Sequence, residues 1–131
     1  MAGRKLVIDT SIFIDFLRSK EKESTMLFNL PKDREIFTTS ITHYELLLGA
    51  TNQVKNKDVE IVMSGLVILP FDQNAAIESA KIFHELKKKN KLIEFRDIFI
   101  AAICIVNNSE ILSLNKKHFQ RIGDLKIYSV V

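Results

Sequence analysis

The chain has 131 residues, 47% of them hydrophobic and 27% charged, with a formal net charge of +3 and an isoelectric point near 9.0. These proportions belong to an ordinary globular protein and exclude a disordered chain; the length suits a single domain over residues 1–131. Four glycines and two prolines are too few for an all-β domain full of tight turns, so helix should predominate.

The basic start Met1-Ala2-Gly3-Arg4-Lys5 leads into only Leu6-Val7-Ile8 before Asp9 interrupts, too short an apolar stretch for a signal peptide. Lys5 to Ile8 reads as a buried strand that hands over at Asp9-Thr10-Ser11 to a helix carrying Ile12, Phe13, Phe16 and Leu17. A charged loop, Ser19 to Ser24, precedes a short helix through Met26-Leu27-Phe28. Pro31-Lys32-Asp33 is a turn and Glu35 to Thr38 a strand. From Ser40 the pattern is helical, with Ile41, Tyr44, Leu47 and Leu48 striping one side and Gly49 as a stop. Another helix spans Asn56 to Ser64, and Leu66 to Leu69 is a strand closed by Pro70. Asp72 or Asn74 caps a longer helix whose apolar residues are Ala76, Ala80, Phe83 and Leu86, ending over Lys87 to Asn90.

Phe95 to Val106 is a helix apolar nearly all round and therefore buried. Its most apolar part, Ile98 to Val106, is about half of what a bilayer-spanning helix requires. Cys104 lies inside that run, where it reads as a small core residue, and a lone cysteine agrees with a reducing compartment. Glu110 to Leu114 and Lys126 to Val130 are late strands, with a short helix Lys116 to Ile122 between them. Strands alternating with helices define an α/β domain whose parallel sheet is covered on both faces. In such sheets ligands bind beyond the carboxyl ends of the strands, where Asp9 and Ser113 to Asn115 fall.

Three acids sit where an acid is costly. Asp9 follows an apolar strand, Glu45 shares a helix face with Ile41 and Leu48, and Asp97 opens the most hydrophobic helix. Each also has a plain structural reading. Asp9 suits a helix N-cap, Glu45 a capping box with Thr42, and Asp97 the positive end of a helix dipole. Three independent caps need not converge, whereas a parallel sheet can bring all three acids to one edge. Hard oxygen ligands without clustered nitrogen or sulfur point to Mg2+ or Mn2+. No zinc spacing, GxGxxG, P-loop or GxSxG competes. Lys87-Lys88-Lys89, Lys91 and Arg96 before Asp97, and Lys116, Lys117 and Arg121 beside the late strand, complement a helix terminus or attract phosphate.

The segments Val7-Ile8-Asp9-Thr10-Ser11-Ile12-Phe13-Ile14-Asp15, Ser40-Ile41-Thr42-His43-Tyr44-Glu45-Leu46-Leu47-Leu48-Gly49, Arg96-Asp97-Ile98-Phe99-Ile100-Ala101-Ala102 and Leu112-Ser113-Leu114-Asn115-Lys116-Lys117-His118-Phe119 follow one another in a telling order. In that order and spacing they resemble the PIN-domain family, and most of all the VapC toxins of toxin–antitoxin pairs. The resemblance covers essentially the whole chain. It implies a three-layer α/β/α fold and endonucleolytic cleavage of RNA dependent on Mg2+ or Mn2+. It further implies a homodimer silenced by a cognate, VapB-like antitoxin. By the same resemblance Asp9, Glu45 and Asp97 are the catalytic, metal-binding acids, supported by Ser11, Ser113 and Asn115. Asp15 matches a frequent acid and is read as structural, capping its own helix region. His118 departs from the pattern, standing where many members carry a fourth acid, so one or two metals are both open. It is read as donating to a substrate phosphate or packing against Phe119. The alternative function is a non-catalytic PIN fold that binds RNA or serves as a scaffold. The expected location is cytoplasmic, with no membrane association.

Overall fold

Leu6, Val7 and Ile8 are each fully buried, which a strand achieves only when both of its faces are covered. The computed structural model describes residues 3–129 and shows how that covering is made. Among these residues the order is β1 (Arg4–Ile8), α1 (Thr10–Arg18), β2 (Arg34–Thr39), α2 (Ser40–Gly49), α3 (Gln53–Ser64) and β3 (Val67–Leu69). Then follow α4 (Gln73–Lys88), α5 (Phe95–Val106), β4 (Glu110–Leu112), α6 (Lys116–Phe119) and β5 (Lys126–Ile127). The strands form one sheet in the order β3-β2-β1-β4-β5, and every pairing is parallel.

Strand alternation divides the apolar side chains between two cores. Val7 and its register partner Ile111 face α4, α5 and α6, where they meet Ile82, Leu86, Ile98 and Phe119. The next pair, Ile8 and Leu112, faces the opposite layer with Ile12, Phe13, Leu46 and Val59. The expected three-layer α/β/α architecture is therefore present. Ile111 is wholly buried on β4, between β1 and β5. Ile111→Ala should cost about 2–5 kcal/mol of unfolding free energy in urea, with no change in the slope of the transition. A cost below about 1 kcal/mol would mean that this core is not close-packed.

Caps set the helix boundaries. Asp9, Thr39, Asn52 and Asp72 each accept a backbone N–H with their side chain at the start of α1, α2, α3 and α4. At the far ends of α4 and α5 the left-handed position falls to Asn90 (φ 54°) and Asn108 (φ 53°). There Lys91 N donates to Leu86 O and Ser109 N to Cys104 O, both at 2.9 Å. Asparagine thus fills the place usually taken by glycine, which this chain has little of.

Several local readings need correction. Met26 to Phe28 forms hydrogen-bonded turns, not a helix; a 3-10 turn at Lys22–Ser24 precedes it, and Asn29 N closes back on Thr25 O and Met26 O. The buried face of α2 carries Thr42 and Leu46, while Tyr44, Leu47 and Leu48 are exposed. Hydroxyls that satisfy one another can be buried, so α2 is turned away from its most apolar side. In α4 the buried stripe is Ala75, Ser79, Ile82 and Leu86, one residue out of phase with Ala76, Ala80 and Phe83. Alanine gives the periodicity too little contrast to set its phase. The α3 helix begins earlier than expected, at Gln53, because Asn52 caps it. Strand β4 stops at Leu112 and β5 at Ile127, so the expected extensions fail at Ser113–Leu114 and Tyr128–Ser129; Val130 lies outside the described residues. Helix α6 likewise ends at Phe119.

Candidate active site

The central strand β1 continues to β2 on one side and neighbours β4 on the other, so the connections diverge between β1 and β4. This is the switch point at which open α/β sheets place their ligands. Asp9 leaves the end of β1 and Ser113 the end of β4. Because α5 turns through Asn107–Ser109 directly into β4, its N-terminus, with Asp97 in the first turn, comes to the same edge. The topology therefore gathers three separate stretches of chain.

Asp9 is 4% exposed and firmly held. Its Oδ2 accepts from Ser113 Oγ at 2.7 Å, Ser11 Oγ at 2.8 Å and Ser11 N at 3.4 Å. The two serines accept in turn from Asn115 N (2.8 Å) and Leu114 N (3.0 Å), so their protons are left for the carboxylate. Asp9 N also donates to Leu112 O at 3.0 Å, extending the β1–β4 pairing into the site. With Oδ2 taken by three donors, Oδ1 is the oxygen left to face a ligand.

Asp97 is largely enclosed, its side chain 17% exposed. Burial, followed by the negative charge of Asp9, pushes its carboxyl above the ordinary range, against an opposing contribution from His118. His118 Nδ1 lies 3.3 Å from Asp97 Oδ2 and 2.9 Å from Asn115 Nδ2. One nitrogen serves one of these at a time: with the proton on Nε2 it accepts from the amide, and with the proton on Nδ1 it donates to Asp97 while the amide presents its oxygen. Either way the ring is turned to Asp97 and Asn115. This places His118 beside the acids in the supporting role expected of it, with Nδ1 engaged and Nε2 the nitrogen left for a phosphate.

Glu45 is engaged differently. Its Oε1 accepts from Thr10 Oγ1 at 2.8 Å, and its Oε2 pairs with Arg96 Nη1 at 2.8 Å. It caps nothing. Thr39 caps α2 by accepting from Thr42 N, and Thr42 and Thr10 hydroxyls lie 3.0 Å apart behind the acid. Arg96 also reaches Glu94 Oε2 at 2.6 Å, so the guanidinium spans two glutamates; hydrogen bonding to it holds the Glu94 carboxyl below the usual range. Asp15 is exposed midway along α1 and accepts no side-chain hydrogen bond, so it is not the cap expected.

The sequence reading missed Thr10, Thr42 and the Arg96–Glu45 pair. A run of hydroxyls at Thr38, Thr39, Ser40 and Thr42 behind an apolar strand was the available signal. No three His, Cys, Asp or Glu side chains among the described residues stand ready to hold one cation as the site is arranged. Still, the donor set suits a hard divalent ion. Asp9 and Asp97 crowd two negative charges together in a site of low exposure, and Glu45 adds a third acid once its oxygens are released.

Residues 6–125 match the PIN domain model, and the chain belongs to the PIN domain family. It is 35% identical over 133 aligned positions to a ribonuclease VapC of Rickettsia bellii, covering 95% of this chain and 96% of that one. It is 30% identical over 126 positions to ribonuclease VapC1 of Methanocaldococcus jannaschii, covering 95% and 87%. Among solved structures it resembles DNA-bound VapBC from Salmonella typhimurium, with a TM-score of 0.81, 28% identity, and 95% and 97% of the two chains covered.

Proposed function

We propose that this chain is a VapC-type ribonuclease, the toxin of a toxin–antitoxin pair, which cleaves RNA endonucleolytically using Mg2+ or Mn2+ held by Asp9, Asp97 and Glu45. The observation that carries the reading is the meeting of Asp9 and Asp97 at the sheet's switch point, where burial and then the charge of Asp9 push the Asp97 carboxyl up and a bound cation would offset both. The kinship to VapC ribonucleases supplies the substrate class. A divalent ion bound there supplies Lewis-acid polarisation of a phosphoryl oxygen and lowers the pKa of a bound water, effects worth several kcal/mol.

The chain's own residues do the rest. Ser11 and Ser113 fix the Asp9 carboxylate, and the His118–Asn115 pair fixes Asp97. Asp97 or Glu45 orients the attacking water. Lys116 and Lys117, on the first turn of α6, draw in the RNA backbone.

The partner is an antitoxin like the VapB component of the related complexes. Glu45 lines a groove between α1, α2 and α3, walled by Ile14, Leu17, Leu46, Ala50 and Val59. Beside it stand the exposed Tyr44, Leu47 and Leu48, a surface suited to an apolar partner segment that would cover Glu45. A homodimer in the cytoplasm completes the proposal; no helix among the described residues is long and apolar enough to cross a membrane.

The experiment is direct. Purified protein should cleave single-stranded RNA with Mg2+ or Mn2+ and stop in EDTA, recovering when metal is restored. Cleavage that survives EDTA after repurification would defeat the cation reading. RNA bound but never cut, with any metal, would favour the non-catalytic alternative.

A further inference from the structure

Arg96 is an unusual neighbour for a site meant to attract a metal. It immediately precedes Asp97, is half exposed, and forks between Glu45 at 2.8 Å and Glu94 at 2.6 Å. Glu45 is the more deeply set of its two partners, at 13% exposure against 65% for Glu94. Thr10 holds the other oxygen of Glu45, so both are engaged. A planar guanidinium is well shaped for such a bridge. We propose that Arg96 is a built-in counter-cation that holds Glu45 while the site lacks a divalent ion, and that the two cations exclude one another at that carboxylate.

The argument is electrostatic. Asp9, Asp97 and Glu45 bring negative charge to one low-exposure edge, and acids cannot be gathered there without compensation. Asp9 receives only neutral hydroxyl and amide donors, and Asp97 receives His118, so among the described residues the one permanent positive charge in direct contact with any of the three acids is Arg96, through Glu45. A doubly charged ion taking Glu45 as a ligand would meet that guanidinium at close range, and the repulsion between them exceeds that of any two single charges at the same separation. Arg96 is free to leave: it is half exposed, and Glu94 at the helix start offers it a second, more solvated anchor. Binding at Glu45 therefore requires the ion pair to open, and the affinity measured for the metal includes that cost. This inference rests on the divalent-cation reading and adds to it a residue that sets the affinity.

Calorimetric titration of the purified chain with MnCl2 at fixed ionic strength, without RNA, tests it. Arg96→Gln should bind Mn2+ about tenfold more tightly than wild type, a change of about 1.4 kcal/mol. Removing any nearby cation helps a metal somewhat, so Arg18→Gln is the control. Arg18 lines the same groove as Glu45 but makes no ion pair with it, and its loss should change affinity by less than about twofold. The deciding measurement is the double-mutant cycle: in a Glu45→Gln background, Arg96→Gln should give no gain. Arg96→Lys, which keeps the charge but gives up the fork, should gain less than Arg96→Gln and serves if the latter folds poorly. An equal gain with and without Glu45, or a gain no larger than that of Arg18→Gln, would overturn the proposal while leaving the metal site intact. Failure of the wild type to bind Mn2+ at all would overturn both this and the reading beneath it. Binding lost in Asp9→Asn but uncoupled to Arg96 would overturn this one alone.

Discussion

Asp97→Asn should abolish RNA cleavage while making the metal-free protein more resistant to heat. The catalytic loss follows from removing a hard oxygen ligand; several kcal/mol of stabilisation, at 1.36 kcal/mol per factor of ten, corresponds to about a thousandfold. The stability gain follows from the raised carboxyl of Asp97, caused first by burial and then by the charge of Asp9. A carboxyl whose folded pKa lies above its unfolded value costs nothing at low pH, where both states hold the proton. The cost appears as pH rises past the unfolded value, near 3.9, and is complete above the raised folded one. Melting curves of wild type and variant should therefore coincide in acid and separate towards neutral pH, with Asp97→Asn the higher. Saturating Mn2+ should stabilise the wild type alone and narrow or reverse that gap. A variant that is active yet much less stable would make Asp97 a structural residue of the α5 start.

Asp9→Asn should be as inactive as the Asp97 variant, with little change in folding. Asparagine caps helices about as well as aspartate, and its amide oxygen can still accept from Ser11 and Ser113. Asp9→Ala is the harsher test. It forfeits a cap worth about 1 kcal/mol and removes the acceptor of Ser11 and Ser113; one hydroxyl can turn to the other across 3.4 Å, leaving one without a partner at about 1–3 kcal/mol if it stays buried. His118→Ala, by contrast, should lose only about tenfold, because the ring steadies Asp97 and is not a principal ligand. His118→Asp should tighten Mn2+ by placing a carboxylate beside Asp97. Activity titrated against metal concentration for these variants separates the roles. His118→Ala as dead as Asp9→Asn would make His118 a participant in the chemistry.

Much of this was legible in the residues. Strand β1 and helix α5 announce themselves because an apolar run stops sharply at a charged or capping residue, and Phe95–Val106 came out with the expected bounds. The convergence of Asp9 with Asp97 follows from parallel topology alone, since it needs only strand ends and helix starts to share an edge. What stayed hidden depends on partners distant along the chain. That α2 turns Thr42 inward and Leu48 outward is decided by hydroxyls on α1 and β2 that satisfy Thr42. That Glu45 belongs to Arg96 before it belongs to any ligand is a matter of side-chain reach between α2 and α5. The phase of α4 was lost for a humbler reason: alanines on neighbouring faces look alike to a periodicity.

The serine stitch between Asp9 and the end of β4 has a consequence for when the protein becomes dangerous. The first acid is made well before its anchor Ser113, 104 residues further along the chain, and before the β4 backbone that aligns it. Contacts so far apart in sequence form late and only at the cost of closing a long loop. A nascent chain still short of Ser113 carries two of its acids, or all three, on unsupported backbone. An assembled site is therefore a property of a translated molecule, not of one in the making. A cell using such an enzyme has the time taken to translate from Asp9 to Ser113 in which to supply whatever restrains it.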